Sequence, residues 1–285
     1  MTISQYLTLN RVYGLLILLL LLSAPLQALT LEGKYLQGGL LIGQIEPGGR
    51  VKFDGEWVKV SKEGYFLLGF ARDESLKHEL VVSRQGQPDQ TRQFHIAKRD
   101  YQIQRINGLP ASKVTPSKSN LDRIKKEVLL VKQARSLNDD RSDFQNGFIW
   151  PATGVITGVY GSQRVLNGKP KRPHYGIDIA APVGTTVVAP ADGVVTLTHS
   201  DMFYSGGTLI IDHGLQLSSS FLHLSKILVH EGQRVKQGDP IAEIGATGRV
   251  TGPHLDWRMN LRNARIDPQL LVPPMPEAAV SHMDQ

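Results

Sequence analysis

Apolar residues follow three different patterns along this chain. From Leu15 to Leu22 every position is apolar, with Arg11 the one charged residue ahead of it and Ser23-Ala24-Pro25-Leu26-Gln27-Ala28 directly behind. A spanning helix needs about 20 apolar residues, so the run is too short to cross a bilayer. A basic start, an apolar middle and a small-residue exit instead make a secretory signal peptide over residues 1–28. The expectation is an exported product beginning near Leu29, in the periplasm or cell envelope, with no stable membrane insertion after processing.

The second pattern is strand-like alternation broken by turns. Val51-Lys52-Phe53 and Glu56-Trp57-Val58-Lys59-Val60 flank Asp54-Gly55, a two-residue hairpin signal. Gly38-Gly39, Pro47-Gly48-Gly49 and Gln85-Gly86-Gln87-Pro88 punctuate further strands such as Glu79-Leu80-Val81-Val82. A small β domain over residues 29–108 follows from this. The third pattern is helical: Leu121, Ile124, Val128 and Val131 recur at helical spacing behind Ser119-Asn120-Leu121-Asp122, which reads as a capping box. One amphipathic helix over roughly 120–137 is expected, its stripe docking onto one domain, within a linker spanning 109–147 that also holds Pro110 and Pro116. From Phe148 onward strands return, among them Val187-Val188-Ala189, Gly193-Val194-Val195-Thr196, Thr208-Leu209-Ile210-Ile211 and Phe221-Leu222-His223-Leu224. The fold class is therefore mostly β: the small N-terminal β domain, one linking helix, a C-terminal antiparallel β domain over 148–275 and a tail over 276–285.

Composition narrows the chemistry. The 285 residues are 41% hydrophobic and 20% charged, which fits one or two globular domains. There is no cysteine, which excludes a cysteine-linked lipid anchor, disulfides, thiol catalysis and thiolate metal ligands, so any metal must sit on histidines and carboxylates. Losing residues 1–28 removes Arg11 and no acidic group, taking the net charge from +6 to +5. That excess suits anionic envelope polymers and equally suits ordinary solubilising charge. No arginine-aromatic pattern points to nucleic acid.

Six of the nine histidines lie between residues 174 and 256. His174 and Asp178 are four apart between Pro173 and Pro182, which disfavour a helix, so in an extended segment both side chains share a side. His254 and Asp256 are two apart on a strand after the turn from Gly248 to Pro253, and the same alternation puts Ser219, Phe221 and His223 on one face. Together three histidines and two aspartates can converge on one groove, enough for a metal and an acid/base pair.

Residues from about Trp150 to Pro268 resemble the catalytic domain of the lysostaphin-type, or LytM-type, zinc metallopeptidases, secreted enzymes that cleave peptide stems or cross-links of peptidoglycan. The resemblance rests on His174-x-x-x-Asp178, Ile179-Ala180-Ala181-Pro182-Val183-Gly184-Thr185, Ala189-Pro190-Ala191-Asp192-Gly193, Ile211-Asp212-His213-Gly214, His223-Leu224 and Gly245-Ala246-Thr247-Gly248 through Gly252-Pro253-His254. It implies one Zn²⁺ per chain on His174 and Asp178, with His223 and His254 handling protons and steadying the oxyanion. The family usually ends this strand with His-x-His, the last histidine being the third ligand; here Asp256 stands in that place. Aspartate also ligates zinc, but an oxygen-richer site makes Mn²⁺ or another divalent ion plausible.

Two readings follow. One is a metal-dependent endopeptidase acting on peptidoglycan stems or cross-links. The alternative is a non-catalytic wall-binding or regulatory domain that activates other cell-wall hydrolases. Other hydrolytic mechanisms lack their motifs: His78-Glu79 and His230-Glu231 have no second histidine four residues after the first, and no Gly-x-Ser-x-Gly elbow occurs. His78, His95 and His213 are expected to be structural, and His199, His230 and His282 to be surface residues. Arg249 and Arg258 flank the His254 strand and Lys169–Arg172 precede His174; each reads as surface charge or as a grip for an acidic peptide. No substrate-binding residue is singled out.

Overall fold

The computed structural model describes residues 29–106, 118–166 and 168–276. Residues 1–28, expected to form a signal peptide, Pro110, Pro116 and the end of the chain from residue 277, including His282, lie outside them.

The N-terminal part is a pair of small antiparallel sheets. Strands β1 (Thr30–Gly33), β2 (Leu40–Gln44), β3 (Arg50–Phe53), β4 (Glu56–Val58), β5 (Tyr65–Gly69), β6 (Lys77–Ser83) and β7 (Gln90–His95) form the orders β1-β2-β5 and β4-β3-β6-β7. The Asp54-Gly55 turn forms as expected, both residues having positive φ, 48° and 85°, which lets the backbone twist match the flanking strands. Val51, Phe66, Phe70, Leu80 and Val82 fill the space between the sheets. His78 is structural here: it is buried, stacks on Phe53 and has Nδ1 2.7 Å from the Asp54 carboxylate.

Strand β8 (Ile103–Ile106) then leaves this part and runs parallel to a strand of the C-terminal half, and α1 (Lys118–Ala134) follows. The C-terminal strands are β9 (Val155–Gly158), β10 (Gln163–Leu166), β11 (Lys169–Pro170), β12 (Ile177–Ala180), β13 (Thr186–Val188), β14 (Gly193–Met202), β15 (Gly206–Asp212), β16 (Leu217–Ile227), β17 (Arg234–Val235), β18 (Pro240–Ile244), β19 (His254–Leu261) and β20 (Ala264–Ile266). Their main path is β17-β14-β15-β16-β19-β12-β9, with β18 bridging β13 and β16 and β20 beside β19. Every pair named in this sheet is antiparallel, in keeping with the mostly β, antiparallel class. Among the described residues no helix is long and apolar enough to cross a membrane.

Alternation along these strands sends Ile177, Ile179, Phe221, Leu255, Trp257, Met259 and Leu261 into one core. Leu40 and Leu67 of the N-terminal part belong to that same core, and Arg99 pairs with Asp267 at 2.8 Å, so the two halves are packed together. β15 is buried along its whole length, and so is β16 from Leu217 to Leu224. Their second face is covered in part by α1, whose Val131 and Ala134 pack with Leu197, Met202 and Ile210.

The helix corrects two expectations. It spans Lys118–Ala134, so the helix is already under way at the Ser119 expected to precede it. Its docking face is also rotated: Val128 is 60% and Leu121 40% exposed, while Ile124, Glu127, Val131, Ala134 and Arg135 face the sheet. Polar contacts set this orientation as much as apolar ones. Glu127 accepts from the Phe203 backbone N–H at 2.9 Å, Arg123 reaches Asp201, and Arg135 donates to Ser220.

Candidate metal centre and groove

The face of the sheet opposite the core carries the polar residues. Asp178 on β12 lies directly across from Asp256 on β19, and Ala180 across from His254, so both carboxylates and His254 share that face. His174 comes from the segment before β12, which is held extended by its backbone: His174 N–H donates to Ser162 at 2.7 Å, and its carbonyl accepts from Gly161 at 2.8 Å. As a result His174 Nε2 stands 3.2 Å from Asp178 Oδ1, and one ligand atom each from His174, Asp178 and Asp256 fall within 4.8 Å of one another.

Two of these atoms are conspicuously unsatisfied. His174 Nε2 and Asp178 Oδ1 are buried and have no hydrogen-bond partner. Each such group costs roughly 1–3 kcal/mol when left bare. Ligands about 2.0–2.2 Å from a tetrahedral ion stand roughly 3.3–3.6 Å apart, close to the 3.2 Å between His174 Nε2 and Asp178 Oδ1. The donor set of one imidazole and two carboxylates fits a divalent cation.

Glycines make room for both carboxylates. A Cβ on Gly158 would lie 2.2 Å from Asp178 Oδ2, and one on Gly176 would lie 2.6 Å from both Asp256 Oδ1 and Arg258 Cγ.

Asp256 has a partner that the sequence reading did not assign. The Arg258 guanidinium forks onto it, Nε lying 2.9 Å from Oδ1. Burial pushes the Asp256 carboxyl up, but Arg258, His174 and His223 outweigh this and hold it below the usual carboxylate range. Arg258 is therefore no free surface arginine. Arg249, in contrast, lies over the Tyr204 ring at 4.4 Å.

His223 reaches the groove by breaking alternation. Ser219 and Phe221 point the other way: Phe221 is in the core, and Ser219 Oγ contacts His213 and the Met259 sulfur. The expectation that Ser219, Phe221 and His223 share the groove face is thus corrected. Between Phe221 and Leu224 the strand gains one residue over β15, and His223 sits at φ 67° in the resulting bulge. The irregularity turns its ring beside His254, with centroids 4.8 Å apart and planes at 52°.

Backbone carbonyls orient both rings. His223 Nδ1 is 2.9 Å from the Thr247 carbonyl, and His254 Nδ1 is 2.9 Å from that of Gly252. A carbonyl can only accept, so each Nδ1 carries the proton and each Nε2 presents its lone pair. Burial lowers the His223 pKa, with the Thr247 hydrogen bond opposing only in part. His254 Nε2 lies 3.8 Å from Asp178 Oδ1, at the edge of the candidate metal site.

Among the remaining described histidines, His213 is structural and His230 exposed as expected, whereas His95, expected to be structural, is exposed at the end of β7. His213 is fully buried between the Asp192 carbonyl and Ser219, and burial pushes it down to about 4. His95, His199 and His230 lie outside the cluster.

An antiparallel sheet carrying one histidine and two carboxylates, with two oriented histidines beside them, defines a peptidase-like groove. Residues 172–268 match Peptidase family M23, and the chain carries a domain of this lysostaphin/LytM-type family. The chain is 45% identical over 95 residues to peptidoglycan DD-endopeptidase ShyA of Vibrio cholerae, the alignment covering 33% of this chain and 22% of that one. It is 40% identical over 106 residues to the DD-carboxypeptidase/endopeptidase Mpg of Neisseria meningitidis, covering 37% and 24%. It is also 35% identical over 127 residues to a lipoprotein NlpD/LppB homolog of Pseudomonas aeruginosa, covering 45% and 40%. The chain thus spans less than half the length of each of these relatives. The crystal structure of a putative peptidase M23 from P. aeruginosa superposes over 83% of this chain and 94% of its own, with TM-score 0.64 and 29% identity.

Proposed function

We propose that this chain is an exported, metal-dependent endopeptidase that hydrolyses peptide bonds in the stems or cross-links of peptidoglycan. The observation that carries this reading is the pair of buried atoms His174 Nε2 and Asp178 Oδ1, 3.2 Å apart and neither in a hydrogen bond, with Asp256 alongside. In it His174, Asp178 and Asp256 hold one divalent ion, Zn²⁺ by similarity to the family and Mn²⁺ as the alternative. When bound, such an ion supplies a Lewis acid that polarises the scissile carbonyl and lowers the pKa of water.

The protein's own groups do the rest. His223 Nε2 accepts a proton from the attacking water and returns it to the leaving amine, a role suited to an imidazole that burial keeps neutral. His254, 4.8 Å away ring to ring, steadies charge on the carbonyl oxygen in its doubly protonated form, in which Nε2–H donates to that oxygen while Nδ1–H stays on the Gly252 carbonyl. Asp256 with Arg258 is a formally neutral unit, so the guanidinium offsets the extra negative charge that aspartate introduces where the family usually has histidine.

One observation favours a second reading: Arg258 already occupies part of the Asp256 carboxylate, which is what a metal-free wall-binding or regulatory domain would do with that position. Metal analysis and sacculus digestion separate the two. The endopeptidase should hold about one divalent ion after dialysis and release soluble fragments that a chelator abolishes. Asp256→Ala should lose both, and should also unfold more easily by about 2 kcal/mol, because it removes the charge-assisted hydrogen bonds of a half-buried arginine. Asp256→His removes the same bonds, so the family's ligand set should be tolerated only together with Arg258→Met. A wild type that binds no ion and leaves sacculi intact would sink the catalytic reading.

A further inference from the structure

The polar face of the sheet continues beyond the metal ligands. On β16 and β19, Leu222 lies across from Asp256, Ser220 from Arg258 and Ser218 from Asn260, and Asn260 lies across from Arg265 on β20. Opposed residues share a face, so Arg258, Ser220, Asn260 and Arg265 extend the groove away from the site, the first step being two residues or roughly 7 Å.

Arg135 enters this face from outside the sheet. It follows Ala134, the last residue of α1, and donates through Nη2 to Ser220 Oγ at 2.8 Å. Its Nε is buried with no partner. Arg265 donates to Asn260 Oδ1 at 3.1 Å. Among the described residues neither Arg135 nor Arg265 has a carboxylate partner; only Arg258 does, in Asp256. Burial first, and then the Arg265 and Arg258 charges, push the Arg135 guanidinium down to about 9, and burial and Arg258 lower Arg265 likewise.

Three guanidiniums thus crowd a half-buried face that supplies a carboxylate to one of them. Like charges in a poorly hydrated groove repel, and a basic residue serving only the helix C-terminus could extend into water instead. The arrangement lacks an anion.

We propose that Arg135, with Ser220 and Arg265 beside it, forms a subsite for a carboxylate of the peptide substrate. A free carboxylate within about two residues of the cleaved bond would reach it, since an extended chain advances at most ~3.3–3.6 Å per residue. Arg258 stays with Asp256 and marks the boundary between the metal centre and this subsite. The inference rests on the endopeptidase reading above and adds to it a preference for substrates with a negative charge at that distance.

The test uses the full, metal-loaded protein and one synthetic stem peptide in two forms, with a free C-terminal carboxylate and as the C-terminal amide. Wild type should favour the acid by roughly ten- to hundredfold, the range of one charge-assisted hydrogen bond, chiefly through KM. Arg135→Gln should shrink that preference to under about threefold, and Arg135→Lys should restore part of it. The melting temperature of Arg135→Gln should hold or rise, because an uncompensated cation is removed. Equal rates on the two peptides in wild type, an undiminished preference in Arg135→Gln, or an equal loss on both peptides with a lower melting temperature would each overturn the subsite. Should wild type cleave neither peptide, the endopeptidase reading fails by itself. Calorimetric affinities of the same two peptides for wild type and Arg135→Gln then decide the subsite, equal affinities for acid and amide overturning it.

Discussion

Gly158 and Gly176 carry no side chain at points where a carboxylate needs the space. A methyl on Gly158 would overlap Asp178 Oδ2, and one on Gly176 would overlap Asp256 Oδ1 and the stem of Arg258. Neither glycine has the positive φ that would explain it by backbone conformation, so the constraint is the approach itself. Under the metal-site reading, Gly158→Ala and Gly176→Ala should each weaken Zn²⁺ binding at least ~10-fold, since ligands must stay near their ideal spacing. Competition with a chromophoric chelator measures this. Gly252→Ala is the control: its added carbon meets nothing within 4 Å, and its metal affinity should equal that of wild type. At this scale the sequence named the five side chains that meet, because His174, Asp178, His254 and Asp256 lie on segments whose two-residue period holds. His223 was found for a reason that does not apply, since alternation would have placed it with Phe221 in the core and the bulge turned it out. Arg258 was named only as surface charge or a peptide grip, and its pairing with Asp256 was missed because its orientation and partial burial depend on neighbouring strands.

Helix α1 shows how an element can be read correctly in kind and wrongly in orientation. Leu121, Ile124, Val128 and Val131 do have helical spacing, yet only Ile124 and Val131 lie toward the sheet. The stripe is shifted because the contacting surface includes Glu127, Arg123 and Arg135, which the periodicity of apolar residues cannot weigh. Glu127 satisfies the Phe203 N–H, and Arg123 binds Asp201 at the β14–β15 turn. Val131→Ala should therefore cost about 1 kcal/mol for its partly buried methyl groups, while Val128→Ala should stay within about 0.5 kcal/mol. Urea denaturation of the two variants distinguishes the faces, and the opposite ranking would restore the orientation read from sequence. The Asp54-Gly55 hairpin needed no such correction, because its geometry is decided by two adjacent residues.

Across the whole molecule, the segment after α1 is fastened to the large sheet at the corner between β15 and β16. Arg141 pairs with Asp139, Asp143 and the buried Asp212, and the Asp143 N–H donates to the His213 carbonyl at 3.1 Å. Two buried groups at this corner titrate in opposing senses. Burial lowers His213 from 6.5 to about 4, so its contribution is present above pH 6.5 and is lost as pH falls toward 4. Burial raises Asp212 from 3.8 to about 6, with Gly214 N–H and Arg141 opposing, so the folded state gains stability as pH falls from 6 toward 3.8. The two slopes largely cancel between pH 4 and 6. Replacing His213 with Asn removes one of them. The stability difference between wild type and His213→Asn should shrink by about 3 kcal/mol from pH 6.5 to 4, as followed by denaturant titration. A difference that stays constant over that interval would show that His213 does not titrate on unfolding.

The sequence by itself determined the local geometry: the hairpin, the presence of the helix, the strands and the alternation that aligns His174 with Asp178 and His254 with Asp256. Those features depend on residues a few positions apart, so spacing is sufficient to read them. Only the tertiary structure decided that Asp178 and Asp256 face each other across β12 and β19, that a bulge delivers His223, that Arg258 neutralises Asp256 and that Arg135 crosses from the helix to Ser220. Each of those depends on strand register and on packing between segments as much as 85 residues apart. No periodicity along the chain encodes such a distance, because it is set where separate elements share one buried face.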